Sequence, residues 1–231
     1  MGHSAPLPAI GADPTAGGFD AAARRALDLV VAGAGLLVLA PLVAVIALLV
    51  RATSTGPVLF RQERIGRGMV PFHLLKFRTM VADAPSRGPA ITVGADPRVT
   101  PVGALLRRTK LDELPQLVNV LRGDMSLVGP RPEVPAYVAL YGEAERRIFT
   151  VRPGITDPSS LHYHDESAVL AGYPDPERAY REIVLPHKIA LSLAYVDTRS
   201  VWTDVALLVR TALRLLAPAR LAGIDPAGTR S

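Results

Sequence analysis

Between Leu29 and Val50 the chain reads LVVAGAGLLVLAPLVAVIALLV, an apolar run without one charged residue. A run of that length can cross a hydrocarbon core as one helix. It is too long, and starts too far into the chain, for the apolar core of a signal peptide, about 7 to 15 residues. The segment is therefore expected to be retained, and a buried helix of a soluble domain is the weaker alternative. Pro41 stands near its middle, where it removes a helix hydrogen bond and favours a kink. Arg24 and Arg25 precede the run, and Arg51, Arg61, Arg64 and Arg67 follow it. The positive-inside tendency thus draws both ends toward the same side. A re-entrant helix broken at Ala40-Pro41 would satisfy both ends, while a bitopic span with a tolerated proline kink remains the alternative.

The rest of the 231 residues suffice for one further domain with a real core. Twenty-six Lys and Arg against 21 Asp and Glu leave a net charge of +5, which suits anionic lipid, nucleic acid or a phosphorylated substrate without choosing among them. The absence of cysteine removes disulfides, thiolate catalysis and Cys-ligated zinc, and the five histidines show no metal-ligand spacing beyond His162 and His164. Residues 1–20 are rich in Gly, Ala and Pro and read as a disordered lead. GPVLFRQERIGRG and VPFHLLKFRTM predict two short strands joined by a turn at Gly66 to Gly68, with a helix as the alternative for the second. Residues 83–103 read as a long Pro- and Gly-rich loop. Near the end, VWTDVALLVRTALRLL places Val201, Val205, Leu208, Ala212 and Leu215 on one helix face, with Asp204, Arg210, Thr211 and Arg214 mostly opposite. That amphipathic helix either packs on the core or lies in a membrane interface with Trp202 and the arginines at headgroup level.

The densest chemistry lies in RRTKLDELPQLVNVLRGDMSLVGPRP. Leu111, Leu114, Val118 and Leu121 recur at helical spacing, and Asp112, Gln116 and Asn119 form a polar stripe beside them. Pro115 is compatible with a helix only in its first turn, which puts Asp112 at a helix start. There Asp112 either caps the helix or belongs to a site that receives phosphate. Lys76, Arg78, Arg107, Arg108, Lys110, Arg131 and Arg152 supply more positive charge than the pair Asp112 and Glu113 needs, and arginine forks suit phosphate oxygens. Arg131 and Arg152 each precede a proline, which biases them to extended backbone.

KFRTM, DPRVTPVGALLRRTKLDELPQLVNVLRGDMSLVGPRP and VRPGIT, with an N-terminal apolar segment interrupted at a proline, resemble the bacterial sugar transferase family, the monotopic phosphoglycosyl transferases. The resemblance covers roughly residues 22–216. It implies an α+β, mostly helical protein: a re-entrant membrane helix over 21–55, kinked at Pro41, a small catalytic domain over 56–216 with interfacial amphipathic helices, and a flexible tail over 217–231. It also implies a place at the bacterial inner membrane with the catalytic domain on the cytoplasmic face. The implied substrates are a nucleotide sugar and polyprenyl phosphate, with Mg2+ as cofactor, membrane lipid as neighbour and no nucleic acid; a homodimer is left open. By position, Asp112 is the implied nucleophile and a metal ligand, and Glu113 its catalytic partner. Lys76, Arg78, Arg107, Arg131 and Arg152 are the phosphate-binding candidates, and Asp204 matches a further acidic, metal-binding position more weakly.

Two departures stand out. The small members carry a Ser-Pro at the kink where this chain has Ala40-Pro41. After VRPGIT, many members continue with a stretch of the type Gly-Trp-Ala-Gln-Val-Asn-Gly-Arg, whereas this chain has DPSSLHYHDES. Its His162 and His164 become candidates for reading the donor sugar, against the plainer reading of a solvated polar loop. An aspartate is already ionised near neutral pH, so its obstacle is repulsion from a diphosphate, which a divalent cation with Arg and Lys would relieve. Two other classes remain in view: a tethered module that reads anionic headgroups, and a nucleic-acid binder, the latter weakened by an aromatic content of only 5%.

Overall fold

In the computed structural model the residues described are 18–84, 94 and 96–216. The expected tail, most of the expected lead and residues 85–93 and 95 of the expected long loop lie outside them. The described part is mostly helical, with two small two-stranded sheets.

Helix α1 (Gly18–Thr53) is one uninterrupted element of 36 residues with Pro41 inside it, so the end of the expected lead, 18–20, is already helical. At about 1.5 Å per residue it is roughly 54 Å long. It is long and apolar enough to cross a membrane. Arg24, Asp28 and Ala32 are buried near its start, and Ile46 and Val50 near its end. Between and around them Val30, Leu37, Val38 and Leu48 stand largely exposed.

The expected hairpin forms from β1 (Leu59–Ile65) and β2 (Pro71–Phe77), antiparallel, with Phe60 opposite Lys76 and Ile65 opposite Pro71. Gly68 takes φ 69° in the connection, the left-handed conformation that favours glycine. Helix α2 (Pro101–Thr109) starts inside the expected loop because Thr100 accepts a hydrogen bond from Gly103 N and Pro101 opens the first turn. Helix α3 (Gln116–Arg122) begins just after Pro115, later than the expected start at Asp112, and stops at Gly123, φ 88°. Fully buried Asn119 seats α3 on the hairpin. Its Oδ1 accepts from Leu75 N at 3.0 Å and its Nδ2 donates to His73 O at 2.8 Å, satisfying an otherwise unpaired edge of β2.

Strands β3 (Ser126–Val128) and β4 (Gly154–Thr156) pair in parallel. Just beyond their pairing, Gly129 and Gly154 approach so closely that a Cβ on Gly154 would sit 2.1 Å from Gly129 N. Short helices α4 (Pro135–Val138), α5 (Pro158–His162), α6 (Glu166–Ala171) and α7 (Pro176–Ala179) lead to α8 (Leu185–Thr198). One core gathers Tyr137, Ile148, Phe149, Tyr180 and Ile189, a second Ala32, Leu74, Val120, Met125 and Leu207, and a third Ile46, Val50, Phe77 and Leu106. Both ends of α1 thus enter cores of the same folded unit.

Helix α9 (Val201–Leu216) corrects the expected orientation. Asp204, assigned above to the polar side, is 3% exposed, and Thr211 reaches Thr156 at 2.7 Å between hydroxyls. Trp202, Val209, Leu213 and Leu216 point outward, all more than half exposed. The polar residues can face inward because the protein satisfies them: Tyr195 donates to Asp204 Oδ1 at 2.6 Å, and Arg24 Nε lies 3.4 Å from Oδ2. Leu207 and Leu208 pack into the second core, while the outward residues Trp202, Val209, Leu213 and Leu216 form an exposed apolar surface.

The glycine contact between β3 and β4 yields a first prediction. Gly154→Ala forces the strands apart and should cost about 1 to 3 kcal/mol, the usual penalty for overpacking. Chemical denaturation of the detergent-solubilised protein measures it, and an unchanged midpoint would contradict the close approach.

Candidate active site

The acid pair sits in a single 3-10 turn, Leu111–Glu113, between α2 and α3. Lys110 reverses the chain ahead of it with φ 58°, and its Nζ donates to His164 O at 2.9 Å. Neither the turn nor α3 is capped by a side chain, so Asp112 does not serve as a helix cap. It is 6% exposed, and its Oδ1 is buried with no hydrogen-bond partner among the described residues. A buried carboxylate oxygen without a donor is costly to maintain and calls for a functional account.

Glu113 is the opposite case. Its Oε1 accepts from Lys76 Nζ at 2.8 Å and from Arg131 Nη2 at 2.7 Å. Lys76 comes from the end of β2 and Arg131 from the segment after β3, so one carboxylate joins three separate parts of the chain. Burial alone would raise Glu113, yet the charges of Arg131 and Lys76 hold its carboxyl well below the usual range. Glu113 in turn raises Arg131. Burial lowers Lys76, and Glu113 offsets that only in part because it is shared. Asp112 moves the other way from its neighbour: burial pushes it up, opposed by Lys76 and reinforced by the charge of Glu113. Adjacent acids in unlike surroundings are what a division of labour requires. Glu113 is a fixed anion that positions two cations, and Asp112 is a carboxylate with an uncommitted oxygen.

The other expected site residues divide. Arg107 joins the pair: its Nε donates to Thr79 Oγ1 at 2.8 Å, and its charge acts on Asp112. Arg78 turns to the end of α1, where its Nη2 donates to Ser54 O and Ser54 Oγ, both at 2.8 Å. The chain leaves β2 at Phe77, so the alternation that would set Arg78 on the same face as Lys76 no longer applies to it. Arg152 donates from Nε to Gly123 O at 2.9 Å, and its charged neighbours are Arg67, Arg25, Asp28 and Arg199. Asp204 keeps company with Tyr195, Arg24, Arg199 and Asp28, so no contact joins it to Asp112 as a shared metal ligand. His164 reaches the acid turn through its backbone carbonyl. His162 instead stacks edge-on with His187, centroids 4.8 Å apart, while Tyr163 Oη lies 2.7 Å from His187 Nδ1. Burial lowers both His162 and His164. Gln116, on the predicted stripe with Asp112, is buried with its Nε2 unpartnered among the described residues.

Sequence reasoning missed what supports Arg131 from behind. Glu133 is buried, accepting from Tyr180 Oη at 2.5 Å and Lys188 Nζ at 3.1 Å, with Arg64 Nη1 at 3.5 Å. Lys188 also donates to Glu166 at 2.9 Å. These residues are scattered over β1, α6 and α8, and no local spacing announces them; the only hint is an acid directly after an Arg-Pro.

Burial would raise Glu133, but Lys188, Arg64 and the Tyr180 hydroxyl bring it down to about 2, from an ordinary 4.5. A depressed carboxylate contributes stability that is present above its unfolded value and lost as pH falls through its folded value. The shift corresponds to about 3 kcal/mol, lost between roughly pH 4.5 and 2. Glu133→Gln should remove that pH dependence and destabilise the protein at neutral pH by about 3 kcal/mol, since Lys188 and Arg64 lose their counter-charge. Denaturant titrations of both proteins from pH 3 to 7 should therefore converge toward the acid end; parallel curves would contradict the assignment.

Comparison with known proteins places the sequence in a family. The sequence matches the bacterial sugar transferase family over residues 19–218. It is 40% identical over 197 residues to the UDP-glucose:undecaprenyl-phosphate glucose-1-phosphate transferase of Caulobacter vibrioides, spanning 84% of this chain and 69% of that protein. To the enzyme of the same name from Escherichia coli K12 it is 35% identical over 206 residues, 87% of this chain and 42% of that longer protein. The exopolysaccharide production protein PSS of Rhizobium leguminosarum bv. phaseoli is 38% identical over 201 residues, 84% of this chain and 94% of its own length. A chain matched along most of its length, with the acid pair held between Lys76 and Arg131 inside the matched part, belongs to the bacterial sugar transferase family.

Proposed function

We propose that this enzyme transfers a sugar 1-phosphate from a UDP-sugar to undecaprenyl phosphate, with Asp112 as nucleophile, and so begins the assembly of a surface glycan. The observation that carries the reading is the contrast within the pair: Glu113 is committed to Lys76 and Arg131, while Asp112 keeps a buried oxygen free. The names of the relatives supply the substrate classes.

In the first half-reaction a carboxylate oxygen of Asp112 attacks the sugar-linked phosphorus of the donor. The bond from that phosphorus to the bridging oxygen breaks, UMP leaves with the electron pair, and an aspartyl sugar phosphate remains. In the second, a phosphate oxygen of the polyprenyl acceptor attacks the same phosphorus and the Asp112 carboxylate departs. No proton need move in either step, which suits a site whose anchored groups are cations rather than titrating bases. Arg131 and Lys76, fixed by Glu113, and Arg107, fixed by Thr79, would face the charge of the transferring group. The residues fit Mg2+ through Asp112, whose unpartnered oxygen is a hard donor; Asp204 is not assigned to it. When bound, that ion supplies neutralisation of diphosphate charge.

The reading includes a monotopic anchor, with the enzyme on the cytoplasmic face of the inner membrane. Arg24, Asp28 and Ala32 on one side of Pro41, and Ile46 and Val50 on the other, pack on one folded unit. A helix crossing a hydrocarbon core of about 30 Å would carry one of those ends out of the unit's reach. The exposed apolar sides of α1 and α9 are the surfaces such an enzyme would place against lipid, where a lipid phosphate and a soluble nucleotide meet.

Asp112→Asn should lower turnover at least about a thousandfold and abolish the covalent adduct, because a carboxamide is a poor nucleophile. Folding should survive or improve slightly, since burial already opposes the charge of Asp112. The check is to incubate the protein with Mg2+ and radiolabelled donor without acceptor, quench, and count label on protein; adduct in the folded variant would refute the assignment. For the anchor, Ala22→Cys and Ala52→Cys should react alike with an impermeant reagent, protected in intact cells and labelled in inverted vesicles. Opposite accessibility would establish a span instead.

A further inference from the structure

Arg152, expected at the acid pair, lines a different cavity with Arg24, Arg25, Arg67 and Arg199. Its volume is about 90 Å³, well above the 10 to 15 Å³ or so that one buried water requires. Its acidic lining residue is Asp28, and that carboxylate is occupied, accepting from Ser126 Oγ at 2.9 Å and Leu127 N at 2.8 Å. Five guanidinium groups line it with that one carboxylate, and even with Asp20 and Asp204 reaching Arg24 the hollow stays net positive.

Arg24 is the most informative of the five. It is 7% exposed, and its Nη1 is buried without a hydrogen-bond partner among the described residues. Its Nη2 is bonded to Asp20, and its Nε has Asp204 only at 3.4 Å. Arg25 and Arg152 are anchored to backbone carbonyls, Arg25 donating to Val120 O and Leu121 O and Arg152 to Gly123 O. Neutral carbonyls position these guanidinium groups without cancelling their charge. Burial lowers Arg152, and the charges of Arg67 and Arg25 lower it further, the expected result of like charges held together.

We infer that this cavity binds a phosphate group, at a site separate from the acid pair, and that the phosphate belongs to the headgroup of an anionic phospholipid. Forked guanidinium donors around a concave site match the oxygens of a phosphate. The lipid source follows from the position: Ala21, Arg24, Arg25 and Asp28 of α1 line the cavity just ahead of the apolar run, and Asp204 of α9 approaches Arg24. Trp202, 82% exposed, stands on α9, and an exposed tryptophan settles at headgroup depth. The cavity would hold a structural lipid that fixes the depth of the anchor.

The test uses the full chain in a neutral detergent, at constant ionic strength set with chloride. Binding is measured by calorimetry for inorganic phosphate and for dioctanoyl-phosphatidylglycerol, with dioctanoyl-phosphatidylcholine as the neutral comparison. Arg67→Gln is the diagnostic variant, because that side chain is exposed and its loss should not disturb folding. It should weaken binding about tenfold, the cost of one charge-assisted contact, while Arg67→Lys retains part of it. Binding of phosphatidylglycerol that depends on Arg67 and exceeds that of phosphatidylcholine supports the inference. Binding of inorganic phosphate with equal dependence but no lipid preference would overturn the lipid source and keep the site. No binding in either arm, or binding unaffected by Arg67→Gln, would overturn the site itself. Asp112→Asn protein should bind as the wild type does, so this outcome is independent of the transfer chemistry.

Discussion

One oxygen of Glu113, shared between Lys76 and Arg131, is the junction on which the site depends. The hairpin, the α2 to α3 connection and the segment after β3 have no common strand or helix to hold them in register at this point. A buried ion pair seldom adds net stability, but loss of one member leaves an uncompensated charge that costs about 3 to 5 kcal/mol. The triad therefore acts less as adhesive than as a penalty on every other arrangement. That suits a site in which cations must stand ready before the substrate arrives.

Behind this junction a second layer repeats the device with different partners. Glu133 follows Arg131 by two positions and is bound to Arg64, Tyr180 and Lys188, while Lys188 extends to Glu166. The backbone between two anchored acids has little freedom, and Pro130 and Pro132 on either side of Arg131 reduce it further. Glu166 lies in the part of the chain that departs from the family pattern, and Lys110 ties His164 to the acid turn. That segment is thus fastened to the acid turn and to the Glu133 cluster without supplying either acid of the pair.

Much of this was legible in the sequence because it was local. Apolar continuity marked α1, the hairpin followed from the Gly66 to Gly68 turn, and Pro115 marked the region where α3 begins. That Asp112 and Glu113 would stand among cations was readable from their basic surroundings. What local pattern could not give was direction. Arg78 and Lys76 lie two positions apart, yet one binds Ser54 and the other Glu113, because the chain leaves the strand at Phe77. Arg131 and Arg152 share an Arg-Pro motif and end in separate sites, one at an acid and one in an arginine-lined cavity. On α9 Asp204 and Thr211 turned inward, since Tyr195 and Arg24 were there for Asp204 and Thr156 for Thr211, and periodicity cannot tell which residues a fold will satisfy.

The attachment of α1 to the domain has a consequence for synthesis. Asp28 accepts from Leu127 N, 99 positions later in the chain. At about 5 to 20 residues per second, its partner leaves the ribosome roughly 5 to 20 seconds after Asp28 does. Helix α1 is made first and fastened late. In that interval Arg24, Arg25 and Asp28 have no folded surface to bind, and the aqueous edge of the bilayer is the environment in which their charges cost least. The nascent helix would wait there, its flanking charges acting as a float, until the domain folds down onto it.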